Sequence, residues 1–339
     1  MFAARRSDFR AHGTLSRFRT GLCSSDLPLL TTLLISLPFF ALIGCGFLAG
    51  KIKLVPAPAV AGLNTFVFYF ALPALLFRTM ALRPFADLYH PTFLGAWLVG
   101  DAIVYGTVAL CARLCAGTNW SGAGLFGLAA AFSNHGYLGI PLVVNLLGPA
   151  ATVPIALAIV VDVVVMFAFT VLVAELGTGG TRNPLAALRT LVRGVLLNPM
   201  VLAIAVGMGV SWARLSLPGP LEVFTSLLAG ATGPAALFLI GVSLALRPLE
   251  RGVGAVGLMV VGKLALHPLV MVAVMVFAFD VPPYWALVAI LSAAIPSAAN
   301  VFVLAERYGV QPGRVSTAVF LSTVLAIFTF TGVAQLLGI

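Results

Sequence analysis

The chain has 339 residues, of which 61% are hydrophobic and only 9% charged, with a formal net charge of +9. Soluble globular domains carry about 25% charged residues, so this composition excludes a soluble fold and points to a multi-pass membrane protein. The basic excess does not imply a nucleic-acid partner, because the basic residues fall mostly in short loops between apolar runs, where orientation signals lie.

Residues 1–27 are polar and carry Arg5, Arg6, Arg10, Arg17 and Arg19; a disordered basic tail is expected there. Ten apolar runs follow, roughly at 28–50, 57–80, 91–116, 122–147, 151–176, 196–216, 221–246, 252–279, 284–306 and 313–337. Each reaches the ~20 residues that cross ~30 Å of hydrocarbon as a helix. The longest connection, 177–195, carries Arg182, Arg189 and Arg193 and reads as a basic linker between two halves, 28–176 and 196–339. Cys23, Cys45, Cys111 and Cys115 have no metal-ligand spacing, and no cofactor is expected.

Run four should stay wound, yet Ser133-Asn134-His135-Gly136-Tyr137-Leu138-Gly139-Ile140-Pro141 carries two glycines, a proline, an amide and an imidazole. Proline removes a donor and clashes with the preceding turn, and in lipid a freed backbone group must find a partner or line a cavity. A broken helix is expected here. A shift of 161 residues superposes the two halves, aligning Pro73-Ala74-Leu75-Leu76-Phe77 with Pro234-Ala235-Ala236-Leu237-Phe238 and Leu37-Pro38 with Asn198-Pro199. Asn134 then falls on Ile295, within Ser292-Ala293-Ala294-Ile295-Pro296-Ser297-Ala298-Ala299-Asn300 of run nine. Paired interruptions of this kind point to a transporter's binding site. Five runs per repeat is an odd number, so the second repeat must enter from the opposite side, giving an inverted pair.

Loops after odd-numbered runs hold Lys51, Lys53, Arg113, Arg182, Arg189, Arg193, Arg247, Arg251, Arg307 and Arg314, whereas those after even-numbered runs hold Arg78, Arg83 and Arg214. The positive-inside rule places the odd loops and the 177–195 linker in the cytoplasm. The tail arginines argue the other way, but the internal loops agree with one another along the whole chain.

Asp101, Asp162 and Lys263 each lie near the middle of a run. A charge there costs about 2.5–3.5 kcal/mol on insertion scales, so each should be paired or face a cavity. The shift maps Asp101 onto Gly262, beside Lys263, so a carboxylate held by Lys263 is expected, with a coupling or gating role or a purely structural one. His267, before Pro268, is expected to cap freed carbonyls. Asn64, Tyr69 and Asn145 read as cavity groups or, more simply, interhelical hydrogen-bonding groups, and Gly44, Gly46, Gly207 and Gly209 as close-packing positions.

The chain resembles the auxin efflux carrier family of membrane transporters in its short bacterial form. The likeness rests on Ser133-Asn134-x-Gly136-x-x-Gly139-x-Pro141, on Ile295-Pro296-Ser297-Ala298-Ala299-Asn300-Val301-Phe302 with Leu304-Ala305-Glu306-Arg307-Tyr308-Gly309, and on Asn198-Pro199. It implies an all-α fold of ten transmembrane helices in two inverted five-helix repeats, with helices four and nine unwound and crossing at mid-membrane. It further implies a secondary transporter in the cell membrane that moves small organic anions such as malonate, malate or auxin-like acids. By position, Asn134, Gly136, Gly139, Pro141, Pro296, Ser297 and Asn300 form the crossover. His135 and Tyr137 stand where the family pattern is less usual, and His135 joins the candidate binding groups. Protons or sodium ions are the candidate coupling ions and a homodimer the candidate assembly. The rival readings are a cation/proton antiporter using the mid-membrane aspartates, and a membrane sensor or channel. An enzyme is not expected.

Overall fold

The computed structural model describes residues 29–115, 117–177, 196–246 and 252–339, together with 192, 194 and 250. The 1–27 tail, nearly all of the 177–195 linker with its three arginines, and Arg247 and Arg251 lie outside the described residues. In chain order the helices are α1 (Leu29–Lys51), α2 (Pro58–Ala81), α3 (Pro91–Cys115), α4 (Trp120–Ala131), α5 (His135–Leu147) and α6 (Pro149–Glu175). They continue as α7 (Pro199–Trp212), α8 (Gly219–Leu246), α9 (Val253–Ala278), α10 (Pro283–Ala293), α11 (Asn300–Tyr308) and α12 (Pro312–Leu336). There is no strand among the described residues.

Six helices (α2, α3, α6, α8, α9 and α12) are each long and apolar enough to cross a membrane. Runs four and nine are not single helices. Each is two short ones, α4 with α5 and α10 with α11, as the proline and glycine content predicts. The surface is apolar: Leu227, Val261, Leu269 and Phe328 are all more than 60% exposed, whereas Asp101, Asp162, Lys263, His135 and His267 are buried. Apolar side chains outside and charges inside suit lipid as the surrounding medium.

Three prolines share a local device. π-helical turns span Val67–Ala71, His135–Gly139 and Gly262–Leu266, and each ends two residues before a proline, Pro73, Pro141 and Pro268. A proline ring clashes with the carbonyl four residues back, which in each case lies inside the π turn. The wider turn makes room for the ring without ending the helix. A fourth π turn begins at Asp162. Such turns also re-aim side chains, and His135, Asp162 and Lys263 all sit on one.

The helices α1 and α8 pack backbone to backbone. A Cβ on Gly46 would lie 2.0 Å from the Phe238 carbonyl oxygen, and one on Gly241 1.9 Å from that of Ile43. The pair α7 and α2 repeats the contact, with a Gly207 Cβ 2.7 Å from the Phe77 carbonyl oxygen. Gly46 and Gly207, and Phe77 and Phe238, are equivalent under the 161-residue shift. The expected packing role fails for Gly44 and Gly209, whose Cβ positions meet nothing within 4 Å because they face away from the neighbouring helix. Core residues of these four helices, including Leu76, Met80, Ile204 and Leu237, continue into Leu138, Ile159 and Ile295, beside the two breaks. A second cluster joins α3, α4, α9, α11 and α12.

Asn198 caps α7, its side-chain oxygen accepting from Met200 N (3.0 Å) and Val201 N (3.3 Å). This explains why Asn-Pro opens the run: the asparagine satisfies first-turn donors, and Pro199 occupies a position whose N–H would have no partner.

Candidate functional site

The two helix breaks meet. Ser133 and Ser297 form an isolated antiparallel bridge. Asn134 N donates to the Pro296 carbonyl (3.0 Å), and Ala298 N donates to the Phe132 carbonyl (3.1 Å). Each break thus supplies the backbone partner that the other lost. The carbonyls at the end of α4 are satisfied by side chains from the second half: Ser297 Oγ donates to Ala129 O (2.5 Å), and Lys263 Nζ to Ala131 O (3.4 Å) and to Ser133 Oγ. A cation at a helix C-terminus is favourable in itself. The α5 and α11 N-termini begin at the same crossing, so their partial positive ends lie there too.

The eight candidate binding residues divide into two groups. Asn134, His135, Gly136 and Asn300 line a cavity of about 40 Å³ that also touches Asp162, Tyr137 and Asn198. Asn134 and Asn300 further line a cavity of about 460 Å³ with Asn64, Tyr137, Ser243 and Thr323. That volume is within the range of ligand pockets. The other four line neither cavity; Pro296, Ser297 and Gly139 hold the crossing together, and Pro141 packs elsewhere. Pro296 and Ser297 act through the bonds above, with Ser297 N also donating to Ser322 Oγ (3.3 Å). A Cβ on Gly139 would meet Ile295 Cδ1 at 2.8 Å, so this glycine admits the neighbouring break rather than a solute. The Pro141 ring lies against Gly233 of α8.

The buried charges are linked differently from the expected Lys263–Asp101 pair. Lys263 Nζ lies 2.7 Å from His267 Nδ1, and His267 Nε2 lies 3.0 Å from Asp101 Oδ1. An ammonium donates to Nδ1, which puts the imidazole proton on Nε2, close to Asp101 but not aligned for a hydrogen bond. Lys263 therefore reaches Asp101 through His267, and it is Lys263, not His267, that caps freed carbonyls. The two residues are one turn apart, and the π turn at Gly262–Leu266 sets which of them reaches α3. Asp162 accepts from Trp97 Nε1 (2.8 Å) and lies 3.1 Å from His135 Nδ1. The Trp97 ring lies between the two imidazoles, 5.3 Å from His135 and 5.9 Å from His267.

Trp97, Asn198 and Ser133 stand at the site without having been singled out as candidates. The signals were present: Trp97 is one turn before Asp101, Asn198 opens the repeat, and Ser133 belongs to the motif. Asn64, read as an interhelical group, is one: its side-chain oxygen accepts from Tyr137 Oη at 2.6 Å, joining α2 to α5 at the larger cavity.

Helices able to cross a membrane, charges sequestered inside and two broken helices that repair each other define a multi-pass membrane transport protein. Residues 32–333 match the family described as Membrane transport protein, and the chain belongs to this family, the auxin efflux carriers of the motif resemblance. It is 32% identical over 301 residues to a Rhizobium meliloti (strain 1021) protein named "Putative malonate transporter", covering 89% of this chain and 94% of that one. A Methanothermobacter thermautotrophicus protein named "Uncharacterized transporter" is 26% identical over 299 residues, covering 86% and 93%. The mouse "Lysosomal cholesterol signaling protein" is 27% identical over 305 residues, 84% of this chain but 35% of that longer protein. The family and the bacterial relative's name indicate a transporter rather than an enzyme.

Proposed function

We propose that the chain is a secondary transporter of small organic anions, which binds a carboxylate where the α4–α5 break crosses the α10–α11 break and moves it by alternating access. The observation that carries this reading is the crossing itself. Two asparagine side chains, Asn134 and Asn300, line both the small cavity and the larger one beside it. They lie where two helix N-termini begin, and exposed N–H groups with partial positive charge suit a carboxylate. The relative named for malonate covers nearly the same length and supports a dicarboxylate.

The architecture we infer is ten spans in two inverted repeats, 28–176 and 196–339, joined by a cytoplasmic linker at 177–195. The reciprocal glycine contacts, Gly46 on Phe238 and Gly207 on Phe77, support it, because a two-fold relation exchanges one for the other. The larger cavity is lined by the start of α2 and the ends of α8 and α11, next to loops that charge assigns to the cytoplasm. With that orientation the larger cavity lies toward the cytoplasmic side. Asp101, Asp162 and Lys263 form the coupling cluster behind the crossing.

A melting screen of the purified chain tests the reading, using malonate, malate, an auxin-like aromatic acid and malonamide as the uncharged control. A carboxylate is expected to raise the melting temperature saturably. Asn134→Ala should weaken it about tenfold or more, the loss of a hydrogen bond to a charged group. The variant keeps the crossing, since Asn134 contributes its backbone N–H there. An equal response to malonamide would contradict the reading; a response to sodium or pH alone would favour a cation/proton antiporter.

A further inference from the structure

The buried groups beside the crossing do not balance in charge. The titratable side chains that face one another are Asp101 from α3, His135 from α5, Asp162 from α6, and Lys263 and His267 from α9, all at most 2% exposed. α4 and α10 carry no charged side chain, and the charged residue of α12, Arg314, lies in its first turn. At their usual neutral-pH charges, two carboxylates and one ammonium leave one negative charge uncompensated. Lys263 is committed through His267 to Asp101. Asp162 faces Asp101 and shares the excess with it, and its neighbouring donors include Trp97 Nε1 and His135 Nδ1. Neither His135 nitrogen has a hydrogen-bond partner among the described residues; Nδ1 is the one 3.1 Å from Asp162, and with the proton there Nε2 is a bare lone pair. Both His135 and Asp162 line the cavity shared with Asn134 and Asn300.

We propose that the Asp162–His135 pair is a proton-binding site that loads one proton with each substrate anion, making the transporter a proton/anion symporter. This rests on the carboxylate-transport reading above. Hydronium in the cavity gives its proton to His135 Nε2 and leaves as water; no other bond changes. The imidazolium then offers Nδ1–H to Asp162 and Nε2–H to the substrate carboxylate. Unprotonated, the cluster's net negative charge repels an anion; protonated, the cluster is neutral and presents a donor. Proton and anion therefore bind with positive, reciprocal coupling, and anion affinity rises as pH falls. When the anion leaves on the other side, the proton returns to water and the bare lone pair is restored.

Calorimetry of malonate binding to the purified full chain, in two buffers of different ionisation enthalpy, counts the protons taken up. Malate serves as a second probe, and the pH range is kept where both stay fully ionised. Wild type is expected to take up about one proton per anion, with affinity falling about tenfold per pH unit on the alkaline side. His135→Gln and Asp162→Asn should each bring the uptake to zero and flatten the pH dependence. Asn at 162 keeps an acceptor for Trp97 Nε1, and melting profiles check that both variants are folded. Binding by wild type without proton uptake would overturn the proton site and leave the carboxylate reading standing. Uptake that persists in both variants would overturn the assignment to this pair. Absence of binding by either anion would overturn the carboxylate reading and the symport with it.

Discussion

Lys263→Met is expected to destabilise the protein by about 3–5 kcal/mol, the cost of removing one partner from a buried ion pair. Lys263 is fully buried. Its ammonium is the cation that balances Asp101 through His267, a donor to the Ala131 carbonyl at the end of α4, and a donor to Ser133 at the crossing. Methionine fills similar space, so little of the loss comes from a cavity. The loss comes from a carboxylate left without its counter-charge and from a helix end left without its cap. Denaturant titration of the purified protein measures it. Adding Asp101→Asn in the same background should recover part of the loss, because the charge that Lys263 balanced is then gone. A single variant within about 0.5 kcal/mol of wild type, the usual range for changes away from such features, would show that Lys263 carries none of these roles.

Gly46→Ala is expected to cost about 1–3 kcal/mol, as overpacking of a tight contact does. The new Cβ would sit 2.0 Å from the Phe238 carbonyl oxygen and 3.1 Å from Val242 N. Both are backbone atoms and cannot rotate away, so α1 and α8 must separate. Gly207→Ala meets the equivalent Phe77 oxygen at 2.7 Å and should cost less. Gly44→Ala is the internal control. Its Cβ meets nothing within 4 Å, and alanine gains up to about 1 kcal/mol in helix propensity over glycine. Equal effects at positions 44 and 46 would contradict backbone contact between α1 and α8.

The sequence made the helix breaks readable because proline and glycine act on the backbone locally, wherever the chain later packs. Pro141, Gly136 and Gly139 announce the first break and Pro296 the second. The 161-residue shift pairs them before any contact is known. The distinction between a residue that lines a cavity and one that holds the crossing was not readable. Ser297 and Asn134 look alike in sequence as polar groups at a break, yet Ser297 spends its hydroxyl on the Ala129 carbonyl while Asn134 lines both cavities. The order of contact in the charge cluster was hidden for a related reason. Lys263 and His267 share a helix face, and which one reaches Asp101 depends on how the π turn at Gly262–Leu266 aims them. Gly44 and Gly46 differ by two positions, and nothing local says which faces α8. Trp97 was missed because an indole in an apolar run reads as packing, although its N–H holds Asp162.

The central claim is that the crossing binds and moves a carboxylate. Uptake of labelled malonate into proteoliposomes made with the purified full chain tests it most directly, comparing wild type with the double variant Asn134→Ala, Pro296→Ala. Uptake by wild type above protein-free vesicles, with the folded double variant slower by about tenfold or more, is the expected result. Uptake by the double variant at the wild-type rate would contradict the claim.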